Sequence, residues 1–278
     1  VLALVLATLS CREQLPMTPG LKKATTERDS PPKEPLPGLA PEALEKKLTG
    51  GTRVFADNFD REVLGPQWVA RSNGWSIKSG QIANTSARNK GLWLAKSLPA
   101  GDVRIEFDAS STPFEHKNKQ GKTVRKFPGD IKCEAFSKTQ NHQGGYIFIF
   151  GGWGNTVNRI ARIEEHGDGP GARVIDGGRH PVKANHTYRM KVLRIGQTIA
   201  WYADKQLLVQ MTDDEFIEGR YFGFNNWEAH VTFDNLAVYQ LTKPAPTQPK
   251  EQPERRQKAT HKTLPSKGKP ALKGVPQP

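Results

Sequence analysis

Apolar and polar residues alternate with a period of two through the middle of this chain, which predicts short strands with one buried face. VRIEFDAS (103–110) sets Val103, Ile105 and Phe107 against Arg104, Glu106 and Asp108. DIKCEAFS (130–137) sets Ile131, Cys133 and Ala135 against Asp130, Lys132 and Glu134. TYRMKVLRIGQTIAWYADKQLLVQ (187–210) reads as a hairpin turning at Gly196, with a second turn at Ala203-Asp204-Lys205. The last strand, HVTFDNLAVYQL, alternates Val231, Phe233, Asn235 and Ala237 with Thr232, Asp234, Leu236 and Val238. YIFIF (146–150) is apolar on both faces, which places it inside a sheet. Inside the alternating region a helical turn is expected only around DDEFIEG (213–219). The pattern predicts an all-β fold, a two-sheet antiparallel β-sandwich.

Composition marks where this pattern stops. Residues 12–49 are rich in proline and charge and read as a tether, with PEALEKKL (41–48) able to form a helical turn or two behind Pro41. Residues 242–278 interleave proline with lysine and carry nine Lys or Arg against two Glu, so they are expected to be disordered. The chain of 278 residues has a net charge of +13, and this short tail supplies about half of it. A basic tail suits an anionic envelope polymer. The chain opens on VLALVLATLSC, an apolar run too short to cross a bilayer. It reads as a truncated signal peptide (1–11) ending at a lipidation residue, Cys11, as in bacterial lipoproteins. The implied location is the cell envelope, as an outer-membrane lipoprotein or a periplasmic protein. Cys133 is then left without a partner, so no disulfide framework is expected and a buried thiol is. The folded domain is assigned to residues 50–241.

Several stretches of that domain resemble the concanavalin A-like lectin/glucanase superfamily, a two-sheet jelly roll. They are FADNFDREVLGPQWVARSNGWSIKSGQIAN, GDVRIEFDAS, NHTYRMKVLRIGQTIAWYADKQLL and VTFDNLAVYQL, in that order. Within it, the chain is most similar to bacterial laminin-G-like and 3-keto-glycoside hydrolase-like domains. The resemblance implies that the last strand pairs near the first, and that the protein binds or processes a sugar. The family-16 glucanases of this superfamily carry a strand reading E-x-D-x-x-E, and this chain has none. Its nearest candidates for such a pair, Asp130 and Glu134, stand four residues apart, ~13 Å along a strand, too far for a retaining pair.

Candidate site residues fall in three places. In ARIEEHGDG (161–169), alternation puts Arg162, Glu164 and His166 on one face, with Glu165 turned away. Glu164 and His166 are the candidate acid–base residues, and Arg162 a candidate ligand for hydroxyls or carboxylates. In GGYIFIFGGWGN (144–155), Trp153 sits in a glycine-rich turn suited to stacking on a sugar ring. In NNWEAH (225–230), Asn226, Trp227 and Glu228 offer amide, indole and carboxylate side by side, and are expected to line the same groove as Arg162 and His166. Glu134 is a further candidate contact. TPFEHKNKQGKTVRKFPGD (112–130) reads as a long basic loop able to draw acidic glycans. No metal-binding loop is present, and no cofactor is expected. The superfamily's structural Ca²⁺ would have to use Asp57, Asp60 and Asp234.

Two functions from different classes fit. One is a tethered carbohydrate-binding module for a polysaccharide or oligosaccharide. The other is a glycan-cleaving hydrolase or lyase using Glu164 and His166. Nucleic acid is not an expected partner, because the chain shows no basic-aromatic stacking platform.

Overall fold

The structure, a computed structural model, describes residues 41–241. Cys11, the apolar leader, most of the tether and the basic tail lie outside them. The described chain is nearly all strand. One sheet runs in spatial order β15 (Gln206–Thr212), β14 (Thr198–Ala203), β13 (Tyr188–Ile195), β6 (Val103–Thr112), β17 (His230–Gln240), β4 (Gln81–Asn84) and β3 (Ser76–Lys78). β1 (Thr52–Asp57) pairs with the second half of β17. The other sheet runs β12 (Arg173–Asp176), β11 (Val157–Arg162), β10 (Tyr146–Gly151), β9 (Ile131–Ser137), β16 (Tyr221–Asn225), β5 (Leu92–Leu94) and β2 (Trp68–Ala70). A separate hairpin pairs β7 (Phe114–Lys117) with β8 (Thr123–Lys126). The two large sheets face each other as an antiparallel jelly-roll sandwich, and first and last strands pair as the resemblance implies.

The core is what alternation predicts. Phe107 of β6 touches Trp201, Phe222, Phe224 and Phe233 at ring-centroid distances of 6.0, 6.0, 5.1 and 5.9 Å, so rings from both sheets interlock there. β10 lies between β11 and β9, and Tyr146 through Phe150 are fully buried. The alternation of β17 fails at one place. Its register against β6 shifts between Asp234 and Ala237, and Asn235 sits at φ 49° with its amide donating to Asp108 Oδ2 at 2.8 Å. This bulge moves the buried phase from Val231 and Phe233 to Leu236 and Val238, not to Asn235 and Ala237.

Three other expectations are corrected. The 112–130 segment is not a loop but carries the β7–β8 hairpin. Residues 213–219 form a turn rather than a helix, because the Asp213 carboxylate accepts from Glu215 N at 3.2 Å and ties the segment to Tyr146 at 2.6 Å. The folded body also begins before residue 50. Helix α1 (Pro41–Thr49) packs Leu44 and Leu48 against Leu193, Ala200 and Tyr202. The buried Arg104 guanidinium caps its C-terminal carbonyls, at 2.9 Å from Lys47 O and also on Gly50 O.

Candidate functional site

The outward face of the second sheet is not a solvent face. Alternation turns Lys132 and Glu134 away from the core, yet they are 2% and 0% exposed, because loops fold over them. The two side chains are satisfied separately. Lys132 Nζ donates to Glu165 Oε2 at 2.8 Å and Asn89 Oδ1 at 2.9 Å, and lies 3.9 Å from Asp130 Oδ1. Asn89 donates back to Glu165 Oε1 at 3.1 Å. Burial opposes charge on Lys132, but the carboxylates of Asp130 and Glu165 outweigh it and hold the ammonium above its ordinary range. Burial likewise raises the Glu165 carboxyl, and the charge and hydrogen bond of Lys132 more than reverse this, holding it ionised. Glu134 Oε1 accepts from Asn225 Nδ2 at 2.7 Å and meets His142 Nδ1 at 2.8 Å, while Gln143 N donates to Oε2 at 3.1 Å.

Above this floor opens a pocket of about 690 Å³, of the size usual for ligand sites. Its rim is aromatic. Phe127, Trp153 and Trp227 are 61%, 44% and 49% exposed, and all three line this pocket. Only two other large apolar side chains among the described residues, Val63 and Ile175, are exposed, and neither lines it.

The rim tryptophans are held by backbone devices. Trp153 lies in a left-handed turn, α2 (Gly152–Asn155), at φ 49° and ψ 55°. Such a conformation costs a side-chain-bearing residue ~1–3 kcal/mol and persists only where the surroundings enforce it. Asn155 enforces it by exchanging two hydrogen bonds with the Val182 backbone at 2.8 and 2.7 Å, and Asn158 accepts from Gly151 N at 3.0 Å. One face of the indole carries the Arg159 guanidinium at 4.7 Å. Trp227 is set by its own N–H on the Asp130 carboxylate, and by its carbonyl, which accepts from Arg88 N at 3.0 Å. Gly129 and Gly151 bring the two loops together beneath the pocket. A Cβ on Gly129, whose φ is 144°, would overlap the Gly151 carbonyl oxygen. Gly129→Ala is therefore expected to destabilise the domain by at least ~2 kcal/mol, lowering Tm by ~4–8 °C in a thermal melt.

The structure brings together part of the expected constellation. Trp153, His166, Trp227, Glu228 and Glu164 line the pocket. Arg162 does not share their face. β11 ends at Arg162 and Ile163 turns into the left-handed region at φ 67°, which breaks the alternation. Arg162 then reaches Asp213 at 2.7 Å, away from the pocket, while Glu165, expected to point elsewhere, enters the floor. Asn226 is fully buried and braces loops, accepting from Ala87 N at 2.6 Å and donating to Ala229 O at 2.9 Å. Glu134 lies under the pocket rather than in its lining. Glu164 turns onto its own loop, accepting from His166 N at 2.8 Å and Asp168 N at 3.0 Å. Burial raises its carboxyl, but these backbone donors prevail and lower it. Glu228 is lowered first by its hydrogen bond from Lys126 at 3.0 Å, with Arg88 adding to it at 2.6 Å. Sequence reasoning missed Asn89, Lys132, His142, Glu165 and Phe127. For Lys132 a signal existed, as a charged residue facing outward between carboxylates on a strand in mid-sheet. Of the aspartates considered for Ca²⁺, Asp57 is bound bidentately by Arg61 at 2.6 and 2.8 Å, and Asp234 accepts from Gln81 at 3.2 Å.

Residues 85–236, which hold the pocket, match the family described as Domain of unknown function (DUF6250). The chain belongs to this family. No curated protein matches it. Among solved structures, the DUF6250 chain is similar to the carbohydrate-binding module CBM66 from Bacillus subtilis, at 18% identity and TM-score 0.47, over 65% of this chain and 98% of that one. It is similar to a Bacillus subtilis protein of unknown function with a galectin-like fold, at 12% identity and TM-score 0.44, over 68% and 96%. It is also similar to the catalytic domain of a Thermotoga petrophila endo-1,3-beta-glucanase (laminarinase), at 10% identity and TM-score 0.44, over 68% and 98%.

Proposed function

We propose that this domain binds a polysaccharide or oligosaccharide in the 690 Å³ pocket, with Trp153 and Trp227 stacking on sugar rings. The observation that carries this reading is the gathering of three exposed aromatic side chains on the rim of one pocket whose floor is polar. A purely apolar ligand would strand that floor, and a small ion would not need the aromatic rim. A sugar offers both surfaces at once, an apolar ring face of C–H groups and a girdle of hydroxyls. The pocket has room for more than one ring.

The test is a binding panel of neutral and acidic oligosaccharides by titration calorimetry, on the native chain and on Trp153→Ala and Trp227→Ala. Both side chains are partly exposed, so the variants are expected to fold. Each is expected to weaken a bound oligosaccharide about ten- to hundredfold. Binding unchanged in the double variant, or no binding across the panel, would remove the proposal.

A further inference from the structure

The charges in this pocket are unevenly committed. Each lining carboxylate has a partner. Glu165 is held by Lys132, Glu228 by Arg88 and Lys126, Glu164 by backbone N–H groups, and Asp130 by Trp227 N, with Lys132 at 3.9 Å. Two of the three lining Lys and Arg side chains are committed in the same pairs, Lys126 and Lys132. The third, Arg125, is exposed, lines the pocket, and makes no ion pair or side-chain hydrogen bond among the described residues. Glu115 stands opposite it across the β7–β8 hairpin, but no ion pair joins them and Glu115 is not in the pocket lining. Arg125 sits two residues before the exposed Phe127, and both residues line the pocket.

An uncommitted guanidinium in a pocket with an aromatic rim is a site for an anionic group on a sugar. Its fork matches the two oxygens of a carboxylate or sulfate, and it loses little entropy in pairing because it is planar and pre-organised. A neutral sugar would leave it unused. Resting on the carbohydrate-binding reading above, we propose that the DUF6250 pocket selects acidic glycans, with Arg125 on the β7–β8 hairpin reading the carboxylate or sulfate ester of the bound sugar.

The experiment compares acidic oligosaccharides, one set uronate and one set sulfated, with their carboxyl-reduced or desulfated counterparts, by calorimetry on the full chain. The basic tail is present in every sample, so Lys122→Ala serves as the control: it removes the same charge from the turn of the same hairpin, outside the pocket. Arg125→Ala is expected to weaken the acidic oligosaccharide about ten- to hundredfold, the worth of a charge-assisted pair. Lys122→Ala is expected to change it less than about twofold, as a screened surface charge should. Arg125→Lys, keeping charge without the fork, is expected to fall between. The uronate and sulfate arms identify which anion is read. Equal affinity for acidic and neutralised sugars, or equal losses in the Arg125 and Lys122 variants, would overturn the proposal while Trp-dependent binding left the carbohydrate reading standing. Failure of every sugar to bind would overturn both.

Discussion

Lys132→Met is expected to destabilise the domain by about 3–5 kcal/mol, the usual cost of removing one partner from a buried ion pair. The ammonium is 2% exposed and joins Glu165, 11% exposed, to Asp130 and Asn89. Without it the Asp130 and Glu165 carboxylates share the pocket floor with only the imidazole of His166, 3.9 Å from Glu165, within ion-pair distance among the described residues. Equilibrium urea unfolding measures the loss. In the double variant Lys132→Met/Glu165→Leu most of it should return, because the stranded charge is gone. A single variant as stable as the native chain would show that the pair does not hold the floor.

The same pair dictates a pH signature. Glu165 has a folded pKa below its ordinary value, so its contribution is present above the unfolded pKa of ~4.3 and is lost as pH falls through the folded one. Lys132 has a raised folded pKa, so its contribution is present below ~10.4 and is lost as pH rises through the folded value. Between those limits the native domain should show a stability plateau. In Lys132→Met burial is left to raise the Glu165 carboxyl, so its protonation relieves the uncompensated charge and the gap between variant and native chain should begin to shrink on acidification while still above the ordinary ~4.3.

The sandwich was legible because burial of one strand face leaves a period-two trace, and this held for β6, β9 and the β13–β15 hairpins, while β10 was legible as a run apolar on both faces. The trace fails where the backbone spends a residue outside the strand geometry. Asn235 at the β17 bulge and Ile163 at the end of β11 both do so in the left-handed region, which asparagine tolerates but a β-branched isoleucine gives no sign of. The second failure had the larger consequence, because one slipped residue exchanged Arg162 for Glu165 in the pocket. The two tryptophans of the rim were legible because an indole in a glycine-rich turn or at a strand entrance has few ways to be buried, whereas Phe127 was not. The floor was not. Whether Lys132 and Glu134 meet solvent depends on the 138–145 loop folding back over its own strand and on Asn89 and Glu165, brought in from 43 and 33 residues away along the chain. Asn226 was misread for the same reason: its amide looks free for a ligand until the 85–91 loop arrives to use it.

Asp213→Ala should be the clearest separation of fold from function, with a loss of ~3–5 kcal/mol in stability and an unchanged affinity for any bound sugar. Asp213 is 3% exposed and gathers three groups that stand side by side on the neighbouring strands β10, β11 and β12. Its carboxylate accepts from the Tyr146 hydroxyl at 2.6 Å and from Arg162 Nε at 2.7 Å, with Arg173 at 3.5 Å. Burial raises the Asp213 carboxyl, and the donors from Tyr146 and Arg162 overturn this and lower it, so its contribution also disappears as pH falls through its folded pKa. Removing the carboxylate takes away the acceptor for the buried Tyr146 O–H, which keeps only the bond it accepts from Ile217 N, and leaves two guanidinium groups facing each other. None of these atoms belongs to the pocket lining. Thermal melts would show the loss, and calorimetry on the folded fraction at low temperature would show the affinity. Weakened sugar binding in a still-folded Asp213→Ala protein would return Arg162 to the site that its sequence position first suggested. An unchanged affinity would fix it as a brace between β11 and the 213–219 turn.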